Sequence, residues 1–342
     1  MNFVRTLLPT MACAGLLSAQ VTRIDLATVA PKDSPWHEVL VKMGQEWKTL
    51  SRGKVRLRTF AGGVQGDEVE MLRKMRTGQL QAVAFSGIGL AHIEPAVACL
   101  GIPMMLDSYE ALDYVRDRIA PKLEAGLAAK GYLVLNWGDV GWVHFFTRKP
   151  ARTLDEIRPM RLFISAGDPQ AEKLYTDFGF HPNPMLATEM LTSLKMGTID
   201  AFDVPPLFAL IDQSFALAPN MLDLKWAPLV GATIVRKEAW EAIPEALRPA
   251  LLEAARAAGE QMRGRIRKMG EDAVPAMQKL KLNVIRLDAA TMAEWRRQVE
   301  AAWPKLRGRL VTAELFDEVK RLRDEFRTRR AAVSGASPVK AR

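Results

Sequence analysis

The feature that most restricts the fold is a repeated switch between strand-like and helix-like hydrophobic period in the first ninety or so residues. Residues 23–29 (RIDLATV) read as a strand. Ser34 then supplies a side-chain cap and Pro35 a first helical residue whose missing N–H costs nothing there. Trp36, Val39, Leu40, Met43, Trp47 and Leu50 follow at helical spacing, so one stripe of this helix should be buried. KVRLRTF at 54–60 reads as a second strand, followed by a glycine-rich turn and a helix from Asp67 to about Thr77. The run AVAFS at 82–86 suits a parallel strand covered on both faces. This order of elements predicts an α/β fold with a parallel sheet between helices.

The alternation continues along the chain. A helix is expected over 108–130 and strands over 132–137 and 160–164. Helices should start after Asp168-Pro169 and after Thr188, with strands at TIDAF, ATIVR and LNVIRL. From Thr291 to Arg330 the pattern is mostly helical, interrupted near Pro304 and Gly308, and 331–342 reads as a disordered tail. A length of 342 residues accommodates two such α/β lobes. At the N-terminus Arg5, the apolar and small run Thr6–Leu17 and Ala19 read as a cleaved signal peptide over 1–19, so a periplasmic protein is expected. The run is shorter than the roughly 20 residues that span a bilayer. Thr10, Met11 and Ala12 make a poor setting for lipidation of Cys13, and cleavage leaves only Cys99, so stability should come from packing without a disulfide.

A net charge of +9 raises the question of nucleic acid, but the basic residues alternate with acidic ones along helices and describe solvated faces. Only Arg263, Arg265, Arg267 and Lys268 form a dense run, and no nucleic-acid partner is expected. His37, His92, His144 and His181 lack metal-ligand spacing, so no metal is expected. Gly87-Ile88-Gly89 follows a strand as a dinucleotide fingerprint would, but Ala91-His92 does not complete it. Turn glycines are the favoured reading, and a Rossmann-type oxidoreductase is the less favoured alternative. With no nucleophile elbow and no phosphate loop, neither an enzyme nor a cofactor is expected.

Three segments carry a resemblance. DSPWHEVLVKMGQEW, VQGDEVEMLRKMRTGQLQ and GFHPNPMLATEMLTSLKMGTIDAFD resemble, in order, the DctP-like solute-binding subunits of tripartite ATP-independent periplasmic (TRAP) transporters. The likeness runs from about residue 22 to 330. It implies a type II periplasmic-binding-protein fold with two lobes, a hinge and a long C-terminal helical region, serving a membrane permease. The expected lobes are 20–138 with 227–266 and 139–226 with 267–296, and 297–330 should brace both.

Against that family the chain departs at its ligand clamp. Laying the family pattern Asp-Leu-x-Gly-x-Lys-x-Arg on this sequence pairs Glu156, Ile157 and Arg161 and leaves Phe163 where an arginine would grip a carboxylate. A second Gly-x-Arg element reads Gly141-Trp142-Val143, and the polar residues after the Gly-x-x-Asp turn become Phe202, Asp203 and Val204. The expected ligand lining is therefore Trp137, Trp142, Val143, Phe145, Phe163, Met185 and Val204, joined by Trp36, Gln65 and Asp203. Arg161 joins them if the register shifts by two, which preserves strand facing. A buried carboxylate without its partner costs several kcal/mol, so an apolar or amphipathic small molecule, including an organic acid, is the expected ligand. A small polar carboxylate such as a C4-dicarboxylate is the alternative. The missing arginines also resemble a TRAP subclass with a hydrophobic cleft, which implies a periplasmic tetratricopeptide-repeat protein as a further partner. Trp47, Trp240, Trp295 and Trp303 lie on helical stripes and should be core.

Overall fold

The computed structural model describes residues 21–166 and 169–333. The strands are β1 Thr22–Thr28, β2 Val55–Phe60, β3 Ala82–Ser86, β4 Tyr132–Thr147, β5 Arg161–Ser165, β6 His181–Met185, β7 Ala201–Val204, β8 Asn220–Leu222, β9 Ala227–Arg236 and β10 Asn283–Ile285. The helices are α1 Pro35–Leu50, α2 Glu68–Arg76, α3 Gly87–Ala91, α4 Tyr109–Ala129, α5 Leu154–Ile157, α6 Pro169–Asp177, α7 Met190–Met196, α8 Pro206–Ile211, α9 Lys237–Glu241, α10 Arg248–Lys279, α11 Ala289–Leu306 and α12 Ala313–Val333. The expected signal segment, the helix start at Asp168 and the tail beyond 333 lie outside the described residues. Among the described residues no helix is long and apolar enough to cross a membrane.

Local chemistry explains the element starts. The Ser34 side chain accepts from the His37 amide with Pro35 behind it, and Asp67 and Ser108 cap α2 and α4 in the same way. Trp36, Val39, Leu40, Met43 and Trp47 are buried as their spacing requires, whereas Leu50 closes the helix exposed.

Two lobes share one long strand. In the first lobe the strand order is β2-β1-β3-β9-β4, with β1, β2 and β3 parallel and β9 antiparallel to both neighbours. In the second lobe β4 continues beside β7, followed by β5 and β6, with β8 and β10 alongside. Residues 132–143 of β4 pair with β9 and residues 144–147 pair with β7, so this strand is a crossing between lobes. The sequence reading ended it at residue 137, before Gly138 and Gly141. The strand instead absorbs the glycines through register shifts between Val134 and Asn136 and between Asp139 and Gly141. Gly141 has φ +135, and a Cβ there would meet Pro205 at 2.9 Å, so a side chain is excluded on both counts. A second difference concerns HPNPM, to which the sequence reading assigned no strand. It forms β6 at the sheet edge, the position where a strand tolerates proline.

α10 runs unbroken for 32 residues and buries Leu251, Ala255, Gly259, Met262, Ile266 and Met277. A Cβ on Gly259 would stand 2.6 Å from Asn136 Cβ, which shows how closely the helix lies against β4. The lobe division expected at 266 falls inside this helix. α11 sits on the second lobe, where Trp295 lies 6.1 Å from Phe145. α12 runs along α4 of the first lobe, with Tyr114 Oη donating to Glu325 at 2.7 Å, and it carries the helical region to Val333. Trp47, Trp240, Trp295 and Trp303 are all buried.

Candidate functional site

A cavity of about 110 Å³ opens at the C-terminal ends of β1 and β3, where ligand sites of α/β sheets collect. Trp36, Leu40 and Phe85 wall it from the first lobe, Val140 from β4, Ala232 from β9, Met262 from α10 and Phe208 from α8. Thr28, Ser86, Asn136, Asp139 and Thr233 supply its polar groups, and among the described residues no lysine, arginine or histidine lines it.

Those polar groups are largely engaged within the protein. Asp139 accepts from Arg116 Nη1 at 3.1 Å and from Arg267 Nε at 2.6 Å, and Arg267 forks onto Asp113 at 2.6 Å through both Nη atoms. Arg116 bonds Asp113 as well. Burial works against the Arg267 charge, yet Asp113 and Asp139 hold its guanidinium well above the ordinary arginine range. Trp36 Nε1 donates to the Asp139 carbonyl at 3.2 Å, and Asn136 Nδ2 to the Ala255 carbonyl at 2.9 Å. Ser86 is held by Glu68, whose carboxylate accepts from the Ser86 amide at 2.6 Å, the Ser86 hydroxyl at 2.7 Å and the Gly89 amide at 3.0 Å. Burial pushes the Glu68 carboxyl up against these bonds. What faces the cavity is mainly hydrocarbon.

Of the lining residues read from sequence, the cavity takes in Trp36 alone. Trp137 stands between Asn136 and Gly138 but donates Nε1 to Glu124 at 2.8 Å. Trp142 packs on Tyr109 at 5.6 Å under Lys225, and Val143 is buried beside it. Phe145 lies in an aromatic cluster with Phe180, Trp226 and Trp295. Phe163 and Val204 are buried in the second-lobe core with Phe146, Phe202 and Met190, and Met185 packs against them. Gln65 receives Lys74 Nζ on its carbonyl and its side chain. Arg161 is exposed at the start of β5 and forks onto Asp200 at 2.8 Å through both bonds. Phe208 links the two regions, since it lines the cavity and packs against the core that holds Phe163. The sequence reading missed Phe208, Asn136, Asp139, Thr233 and Met262. Phe208 alone had a local signal, standing just past the end of a strand in Pro205-Pro206-Leu207.

Asp203 faces the other side of β7, where Tyr175 Oη donates to it and Trp226 Nε1 donates to Tyr175 at 3.0 Å. Its carboxyl is enclosed although the residue keeps some exposed surface, and burial pushes it up to about 7. The native state therefore holds this proton where the unfolded chain has released it, so Asp203 makes stability fall as pH rises from about 4 to about 7. Urea midpoints at about pH 5 and about pH 8 should show a decline that Asp203→Asn reduces. An equal decline in the variant would refute this.

The profile of bacterial extracellular solute-binding protein family 7, DctP, matches residues 26–308. The chain belongs to the DctP family. A solute-binding protein of Roseobacter denitrificans is 27% identical over 199 residues, which are 55% of this chain and 58% of that relative. The 2,3-diketo-L-gulonate-binding periplasmic protein YiaO of Escherichia coli is 23% identical over 274 residues, 79% of this chain and 82% of YiaO. In fold, the sugar acid binding protein of Advenella mimigardefordensis in complex with galactonate superposes with a TM-score of 0.83 at 20% identity, covering 90% of this chain and 99% of that one. As a DctP protein the chain is a solute-binding subunit of a TRAP transporter and not an enzyme. TRAP solute-binding proteins are periplasmic, and a permease is the partner that the family implies.

Proposed function

We propose that this DctP protein captures an apolar or amphipathic small organic acid in the cleft beside Trp36 and Phe208 and delivers it to a TRAP permease. The observation that carries the reading is a cavity at the strand ends with hydrocarbon walls and, among the described residues, no cationic side chain. Each Å² of apolar ligand surface removed from water there contributes roughly 25 cal/mol, while a carboxylate buried in the same place would lack a partner. Phe163, Met185 and Val204, in the core that Phe208 packs against, extend the apolar setting on the second lobe. The acid group of an amphipathic ligand then stays at the mouth. Lobe closure over the hydrocarbon part supplies the difference in affinity that shifts the open and closed populations.

A small polar acid has the named ligands of two relatives on its side, galactonate and 2,3-diketo-L-gulonate, and the lack of a cation in the cavity against it. A tetratricopeptide-repeat partner rests on the apolar positions alone. Mass spectrometry of molecules released from gently purified periplasmic protein tests the reading. An acid with a substantial hydrocarbon or aromatic part is the expected result. Recovery of a sugar acid or a C4-dicarboxylate would overturn it.

A further inference from the structure

Among the described residues, the cavity draws its walls from the first lobe, from β4 and β9 and from α10, with one exception. Phe208 is the single lining side chain from the stretch between β4 and β9. The short helix that carries it is fixed at both ends. Pro205 and Pro206 set its entry, because each ring locks φ near the helical value. Leu207 is buried in the first-lobe core with Trp36, Leu40 and Met262, while Ala209 is buried in the second-lobe core with Phe146 and Phe163. Opposite faces of a single helical turn thus plug into two different cores. Phe208 lies between these anchors, itself packed against the second-lobe core, so the surrounding packing determines where its ring points.

We infer that Phe208 is the residue that sets ligand size, closing the far end of the cavity and limiting how long a hydrocarbon chain the cleft accepts. The inference rests on the apolar reading given above. A ring at this place forms one wall of a space of only about 110 Å³, so replacing it by a methyl group lengthens the cavity toward the second lobe. Replacing it by an indole shortens the cavity. Trp36, which lines the same cavity, is tied to the Asp139 carbonyl and cannot turn to compensate without losing that bond.

Calorimetry on the purified protein with straight-chain monocarboxylates from butanoate to dodecanoate, and with glucuronate as the polar control, tests the inference. The native protein should show an optimum in chain length. Phe208→Ala should move the optimum to longer chains and weaken the originally preferred one by roughly tenfold or more, in keeping with the apolar contact removed. Phe208→Trp should move it to shorter chains. Melting curves establish that each variant is folded, and if Phe208→Ala is not, Phe208→Leu and Phe208→Trp carry the comparison. An unchanged optimum in folded variants overturns the role of Phe208. Binding of glucuronate and of no alkyl acid by the native protein overturns the apolar reading and this inference with it, and that result is visible without any variant.

Discussion

Replacing Asp139 by alanine is expected to destabilise the protein by about 3–5 kcal/mol, the cost of removing one partner from a buried ion-pair network. Asp139 is 1% exposed and Arg116 is 2% exposed, so neither charge can recover its loss from water. With the carboxylate gone, Arg116 keeps Asp113 and the distant, exposed Asp117, and Arg267 keeps Asp113 alone. The site also sits where β4 shifts register between the lobes, so the substitution removes the Arg116 and Arg267 bonds from this strand to α4 and α10 and leaves those of Trp137 and Asn136 to hold it. Urea unfolding with an unchanged m-value measures the loss. Asp139→Asn, which keeps the shape and removes the charge, should show most of it. A loss below about 1 kcal/mol would refute a stabilising role, because exposed ion pairs contribute no more than that. Since the Asp139 carbonyl also receives Trp36 Nε1, the same residue joins the cavity wall to the crossing between lobes.

Features governed by local chemistry were legible in the sequence. The Ser34 and Pro35 start of α1, the buried stripe behind it and the break between α11 and α12 depend on residues a few positions apart. β4 and β6 were misread because glycine and proline mark turns only when no sheet neighbour compensates. In β4 a bulge takes up Gly141, and in β6 an edge position frees the proline nitrogens from donating. The cavity was the least legible part, because Trp36, Asn136, Phe208, Thr233 and Met262 meet only after two crossings of the chain. Apolar residues such as Phe145 and Trp137 carry the same composition whether they line a cleft or fill a core, and here their partners are Trp226 and Glu124. Arg161 shows the same ambiguity for charge, since a fork suited to a ligand carboxylate is engaged by Asp200.

Phe163→Arg is the second substitution expected to have a large effect. The ring is 7% exposed and shares the second-lobe core with Phe146, Phe202 and Val204. A guanidinium there loses the aromatic contact and gains no carboxylate, and the two penalties together should cost at least about 3 kcal/mol. Phe163→Leu keeps most of the apolar area and should cost less than about 1.5 kcal/mol. The effect on binding separates a wall of the cleft from a core position behind it. The resemblance to TRAP receptors sets position 163 where a carboxylate is gripped, and Phe208 connects this core to the cavity. On the cleft reading, Phe163→Arg should weaken a medium-chain monocarboxylate by tenfold or more, the equivalent of about 1.4 kcal/mol, and should create measurable affinity for succinate. Calorimetry at low temperature, with melting curves alongside, keeps the destabilised variant folded during the measurement. Unchanged affinity for the monocarboxylate in folded Phe163→Arg protein would assign Phe163 to the core alone. Tight binding of succinate by the unmodified protein would overturn the apolar-ligand reading itself, because the cavity would then have to hold two carboxylates that no lining cation meets.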